Sequence, residues 1–187
     1  YLFAAPLFFV QLLGGYVLGS PKFRGVAAAA DRLTRLGTIV LVVFGVSFGP
    51  FAWHGQLTHV LARLFPFGRG LTHAYWAPNT WALYTAVDKV LAAVLKRRSL
   101  AAGTNGLVGE TPFTVLPQIA PAHTAALVLA LQLPLLVTTW RRPRAPPFAA
   151  AVCCCGLAAF LCGWHVHEKA ILPPLVVLSA LVPGEPR

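Results

Sequence analysis

The sequence predicts an all-α polytopic membrane protein. Three observations carry that prediction. Of 187 residues, 57% are hydrophobic and only 11% charged, where a soluble domain carries roughly 25%. Mean hydropathy is +0.70. The apolar residues come in runs close to the length of about 20 that a spanning helix needs, separated by short basic clusters.

The elements follow in order. Residues 1–18 read as a first span, with Gly14 and Gly15 allowing close helix approach. This run lacks the basic leader and small-residue cleavage site of a signal peptide. The chain begins at Tyr1 inside it and contains no methionine, so it is expected to be an internal piece of a longer protein. Residues 19–35, with Lys22, Arg24, Arg32 and Arg35, read as a basic cytoplasmic loop. Residues 36–53 form a second span, ended by Gly49-Pro50. Residues 54–113 are richer in polar and aromatic groups and are expected on the side opposite the cytoplasm. Within them, Trp81, Tyr84, Val87, Leu91 and Leu95 repeat at helical spacing, with Asp88 and Lys89 on another face. Two charges near its middle argue that this amphipathic helix lies along the interface or packs against the bundle rather than spanning. Residues 99–111 read as a Gly-containing loop. A third span covers 114–140, broken by Pro117, Pro121 and Pro134, and the basic turn Arg141-Arg142-Pro143-Arg144 follows. Residues 148–164 and 170–183 supply two further spans.

The net charge of +10 would suggest nucleic acid in a soluble protein, but here the basic residues punctuate apolar runs, as topology signals do. Placing 19–35 and 141–147 in the cytoplasm puts residues 54–113 and His165–Lys169 on the same, opposite side. The competing arrangement makes 80–95 a span and separates the two polar segments, at the expense of Asp88 and Lys89 in lipid. Cys153, Cys154, Cys155 and Cys162 match no zinc spacing and read as small packing residues in one apolar stretch. No metal site and no cofactor is expected. His54, His59 and His123 stand alone, and Glu110 and Glu185 read as loop and tail charges.

Two constellations carry candidate chemistry. In Gly163-Trp164-His165-Val166-His167-Glu168-Lys169, ionisable groups crowd the end of an apolar run, where they are expensive. On a helix His165, Glu168 and Lys169 would share one face. They read either as a polar wall, with cations for an anionic group and Glu168 for hydroxyls, or as a helix end snorkelling to the interface. In the second, Arg63 and Arg69 can fork onto phosphate oxygens. His73 sits between them and the aromatics. Tyr75 and Trp76 offer flat faces with polar tips, and Asn79 offers both a donor and an acceptor. An aromatic belt with interfacial arginines is the plainer alternative. Together the ingredients suit a membrane enzyme handling a lipid-linked phosphate and a sugar. A transporter with a proton relay is the rival class, but the chain shows no internal repeat. A non-catalytic membrane subunit is the third.

Arg63 to Tyr84 (RLFPFGRGLTHAYWAPNTWALY) and Gly163 to Leu172 (GWHVHEKAIL) resemble the dolichyl-phosphate-glucose-dependent α-1,3-glucosyltransferases of the endoplasmic reticulum. The HAYWAPN run is similar to the enzyme of that family acting second on the lipid-linked oligosaccharide. The resemblance implies a GT-C-type multi-span bundle with a lumenal active site. It implies an inverting transfer from dolichyl phosphate glucose to Glc1Man9GlcNAc2-diphosphodolichol, or, in the preceding enzyme, to Man9GlcNAc2-diphosphodolichol. The family's presumed aspartate base lies in a lumenal loop N-terminal to this chain, so no catalytic residue is expected here. Arg63, Arg69, His73, Tyr75, Trp76, Asn79, His165, His167, Glu168 and Lys169 are expected to bind substrate, with Arg69 and Lys169 on the phosphate.

Overall fold

The computed structural model describes residues 2–19, 25–65, 67–72, 78–97, 112–143 and 148–181, and among these there is no strand. Seven α-helices follow in order: α1 (Ala5–Leu12), α2 (Val26–Trp53), α3 (Leu57–Leu64), α4 (Trp81–Val94), α5 (Pro121–Arg141), α6 (Phe148–Cys162) and α7 (Leu172–Leu181). Lys22, Arg24, Arg144, Glu110, Glu185 and the loop expected over 99–111 lie outside the described residues.

The bundle is built by α1, α5, α6 and α7, with α5 and α6 packed on each other and α7 against α6. On α5, Thr124, Val128 and Gln132 recur every fourth residue and are buried on the face toward the bundle. Gln132 Nε2 donates to Phe3 O at 3.0 Å and to Cys155 O at 3.3 Å, tying the start of the chain and α6 to α5. In a membrane bundle, where apolar contact alone drives no association, such a side chain acts as glue. Cys153 Sγ reaches Pro174 O on α7 at 3.4 Å, a packing role for the cysteine run. The helix starts at Pro121 rather than near residue 114, with the proline in the first turn where its missing N–H costs nothing, and it runs on through Pro134, which does not break it as expected.

Helix α2 starts ten residues before the apolar segment read from the sequence, and it carries Asp31, Arg32 and Arg35 inside its first turns. Two local contacts make that possible. Arg35 Nε pairs with Asp31 at 2.9 Å, one turn back. Arg32 folds toward α1's continuation and donates from Nε and Nη2 to Val17 O at 3.0 and 2.7 Å. Beyond Leu36 the helix is bare, with Leu41 and Val46 each 74% exposed. With α5, it is one of two described helices long and apolar enough to cross a membrane. Helix α3 has no counterpart in the sequence reading, which left 54–80 without a helix.

Helix α4 forms over the expected residues, with Trp81, Tyr84 and Leu91 of the expected stripe half-buried and Asp88 and Ala92 buried among them. Asp88 is fully buried, while Leu83, Val87, Val90 and Val94 are exposed. The expectation that Asp88 lies on a face apart from the apolar stripe is therefore corrected. Its carboxylate accepts the backbone N–H groups of Thr114 at 3.0 Å and of Val115 and Leu116 at 2.8 Å. Burial pushes this carboxyl up, and the three N–H donors more than offset it, leaving it below its ordinary value. Tyr84 adds a bond from its hydroxyl to Pro117 O at 2.8 Å and an edge-on contact with Phe113. Burial first, and the nearby Asp88 charge second, raise the Tyr84 phenol. The segment before α5 is thereby fastened to α4.

Candidate functional site

A helix ends with backbone carbonyls that lack an intrahelical partner. At the C-terminus of α6 these are Leu161, Cys162 and Gly163, and residues 79–81 satisfy them. Thr80 donates to Leu161 O from its backbone N–H at 3.1 Å and from its hydroxyl at 2.6 Å. Trp81 Nε1 lies 3.1 Å from Cys162 O and 3.2 Å from Gly163 O. Asn79 Nδ2 donates to Gly163 O at 3.3 Å. The N-terminal end of α4 thus caps the C-terminal end of α6.

The chain then leaves α6 abruptly. Gly163 has no room for a side chain: a Cβ there would collide with the Ala159 carbonyl oxygen and meet Val166 Cγ2 at 3.0 Å. His165 adopts a left-handed backbone, φ +47°, a conformation that costs a non-glycine residue about 1–2 kcal/mol. Two contacts hold it there. Its N–H donates to Leu71 O at 2.9 Å, and its Nδ1 lies 3.0 Å from Gly70 O. A carbonyl can only accept, so Nδ1 carries the proton. Gly70, at φ +78°, turns its carbonyl to this position.

This geometry corrects one expectation. His165, Glu168 and Lys169 do not share a helical face, because residues 163–167 are not helical and Glu168–Ile171 is a short 3-10 turn. The physical reason is that α6's last carbonyls are taken by residues 79–81 instead of by a following turn. His167 is exposed, with its ring edge-on to that of His165 at 5.5 Å. Glu168 and Lys169 are also exposed, and no ion pair involves them among the described residues.

Of the other expected binding residues, Arg69 is half-buried at the end of the turn Phe67–Arg69, one residue before the Gly70 carbonyl that His165 holds. It is thus brought to the seam. Arg63 is exposed in the last turn of α3 and makes no hydrogen bond to the seam among the described residues. Asn79 is 7% exposed; its donor serves the α6 cap, and its Oδ1 has no hydrogen-bond partner among the described residues. His73, Tyr75 and Trp76 lie outside the described residues.

Sequence reasoning missed Trp164, which follows the Gly163 carbonyl that Asn79 grips and whose buried Nε1 donor also has no partner among the described residues. It missed Thr80 and Trp81 as caps as well; their position just before a helix was the available signal. Among the described residues no three His, Cys, Asp or Glu side chains converge as metal ligands. The clasp thus brings the backbone next to Arg69 against the start of the segment that carries His165, His167, Glu168 and Lys169.

The chain is similar along nearly its whole length to curated glycosyltransferases. A Schizosaccharomyces pombe protein named dolichyl pyrophosphate Glc1Man9GlcNAc2 alpha-1,3-glucosyltransferase is 46% identical, over 97% of this chain and 37% of its own length. Proteins of the same name from Arabidopsis thaliana and Mus musculus are 45% and 43% identical, over 96% and 97% of this chain and 37% of each relative. The chain therefore spans little more than a third of the length of these relatives. No solved structure matches it. The family described as the ALG6, ALG8 glycosyltransferase family matches residues 1–187, and the chain, with its apolar helices and clasped polar seam, belongs to that family of membrane glycosyltransferases.

Proposed function

We propose that this chain forms part of an endoplasmic-reticulum membrane glucosyltransferase of GT-C type. That enzyme transfers glucose from dolichyl phosphate glucose to Glc1Man9GlcNAc2-diphosphodolichol, forming an α-1,3 bond. The family membership and the relatives' names support the acceptor. The observation that supports the site is the clasp of residues 70–71 and 79–81 on residues 161–165, with Arg69 next in sequence to Gly70 and His167–Lys169 following His165. In this reading that end faces the lumen.

The reaction is a single displacement. The acceptor hydroxyl attacks C1 of the β-linked glucose and gives its proton to a base. The C1–O bond to phosphate breaks, and dolichyl phosphate leaves with the bonding pair. Positive charge at C1 and negative charge on the leaving phosphate grow together, as in glycoside hydrolysis. Arg69 and Lys169 are assigned to the phosphate, where cations stabilise the leaving group. His167 and Glu168 are assigned to shaping the donor pocket. The base is assigned to a residue outside this chain, so the chain alone should transfer no glucose.

Microsomes carrying the full-length protein, supplied with dolichyl phosphate glucose and the monoglucosylated acceptor, test the reading. Wild type should transfer glucose, and Arg69→Ala and His167→Ala should each fall by about tenfold or more. Unchanged transfer in both variants would remove the proposed site. Transfer only to the unglucosylated oligosaccharide would move the enzyme to the preceding step.

A further inference from the structure

Helix α3 is short and stands apart from the bundle, touching chiefly the end of α2. Its apolar residues Leu57, Val60, Leu61 and Leu64 fall at i, i+3, i+4 and i+7, an arc of about 100°. Thr58, His59, Ala62 and Arg63 occupy the rest of the circumference. None of its eight residues is buried, and Leu61 and Leu64 are 43% and 54% exposed. Just beyond it, Phe65 and Phe67 are also exposed, with rings stacked at 6.0 Å. Leu57 and Val60 are half-buried, so the stripe is only partly covered, and an amphipathic helix left so has a missing partner.

The position of α3 identifies that partner. From Leu36 to Trp53, α2 rises about 26 Å at 1.5 Å per residue, close to the thickness of a hydrocarbon core. With Asp31, Arg32 and Arg35 at one boundary, Trp53, 89% exposed, falls at the other, where membrane proteins place tryptophan. Only His54, Gly55 and Gln56 separate Trp53 from α3. They form a tight turn, with Gly55 at φ +66° and Gln56 N–H bonded back to Phe51 O at 2.7 Å. The chain therefore cannot leave the membrane boundary before α3 begins. Residues 54–72 contain Arg63 and Arg69 and no acidic residue, a charge complement to lipid phosphates.

We infer that α3 is an interfacial helix, lying in the plane of the leaflet with Leu57, Val60, Leu61 and Leu64 in the acyl boundary and Arg63 at phosphate level. It fixes the height of the following turn, so that Arg69 and the seam it meets stand at the depth of a lipid-linked phosphate. The helix placement itself stands apart from the reaction proposed above and is read without measuring transfer.

Single spin labels at Thr58→Cys, His59→Cys, Leu61→Cys, Ala62→Cys and Leu64→Cys, in the full-length protein in lipid nanodiscs, give the accessibility of each position to oxygen and to a water-soluble nickel chelate. Oxygen should dominate at 61 and 64, and the chelate at 58, 59 and 62. The chelate reaching all five positions would place α3 in water and overturn the inference. Exclusion of both reagents at 61 and 64 would mean that a protein segment covers the stripe, and would overturn it too. Photolabelling of the unsubstituted protein by a diazirine near the glycerol of a phospholipid gives a second reading without substitutions. It should tag the peptide containing residues 57–67, and a tag on α2 without one there counts against the inference.

Discussion

Replacing Asp88 with alanine strips one acceptor group from three backbone donors at once. Hydrogen bonds to a charged acceptor contribute about 1.5–3 kcal/mol each. Three would give an upper limit of about 4.5–9 kcal/mol, but they share one carboxylate and Thr114–Leu116 are only half-buried, so water can reach part of what is freed. Asp88→Ala should therefore cost about 3–5 kcal/mol, near the top of the range for single substitutions. Asp88→Asn keeps the Oδ1 that serves Val115 and Leu116 and turns a donor toward Thr114, so about 1–2 kcal/mol is expected. The pH dependence has a definite sign. The folded carboxyl lies below its unfolded value of 3.8, so its contribution is complete above that pH and is lost as pH falls through the folded value. Thermal unfolding of the detergent-solubilised full-length protein, followed from pH 3 to pH 7, reads both effects. The alanine variant should unfold several degrees early near neutral pH, and its deficit should shrink in acid. An alanine variant as stable as wild type at pH 7, or a deficit that persists unchanged at pH 3, would refute the assignment of Asp88 as an ionised acceptor.

Three further outcomes follow from the seam. Gly163→Ala should cost about 1–3 kcal/mol in thermal unfolding, because backbone stands where its Cβ would go, whereas Gly37→Ala, in open space on α2, should be neutral or slightly stabilising. Loss of the His165 ring weakens the clasp in both His165→Ala and His165→Gly, yet glycine relieves the left-handed backbone, so His165→Gly should be the more stable by about 1 kcal/mol; the reverse order would contradict the φ of +47°. Trp81→Phe keeps the ring and removes the indole donor from the α6 cap at a cost of about 1 kcal/mol, and hydrogen exchange should quicken in residues 161–167 while α5 is unaffected.

The helical, membrane-embedded class was legible in composition and run length, because both report directly on the solvent the chain needs. The motif residues were legible as a group, since ionisable side chains at the end of an apolar run demand an explanation. Their local conformation was not. The spacing of His165 and Glu168 looks helical, and only the bonds from residues 79–81 and to Gly70 and Leu71 show why the helix stops short. Asp88 was misread for a similar reason. A carboxylate among apolar residues marks a solvated face unless a distant segment brings backbone donors to it, and those donors lie 26 to 28 residues away. Helix α2 began early because Arg32 found a partner on the neighbouring segment and Arg35 one a helix turn away. Helix α3 escaped notice because eight residues with three polar positions look like loop when only composition is weighed.

The cap on α6 also sets an order of assembly. Its donors and acceptors are 81 to 84 positions apart, and the His165 ring bond closes across 95. At roughly 5–20 residues per second of synthesis, Asn79, Thr80 and Trp81 emerge several seconds before the carbonyls they will satisfy. Through that interval the first half of the seam is held only by its own short-range bonds, and α5 and α6 must both enter the membrane before it can close. Substitutions here should therefore act first on the newborn chain, as slower maturation and faster disposal, even at temperatures where the finished protein tolerates them.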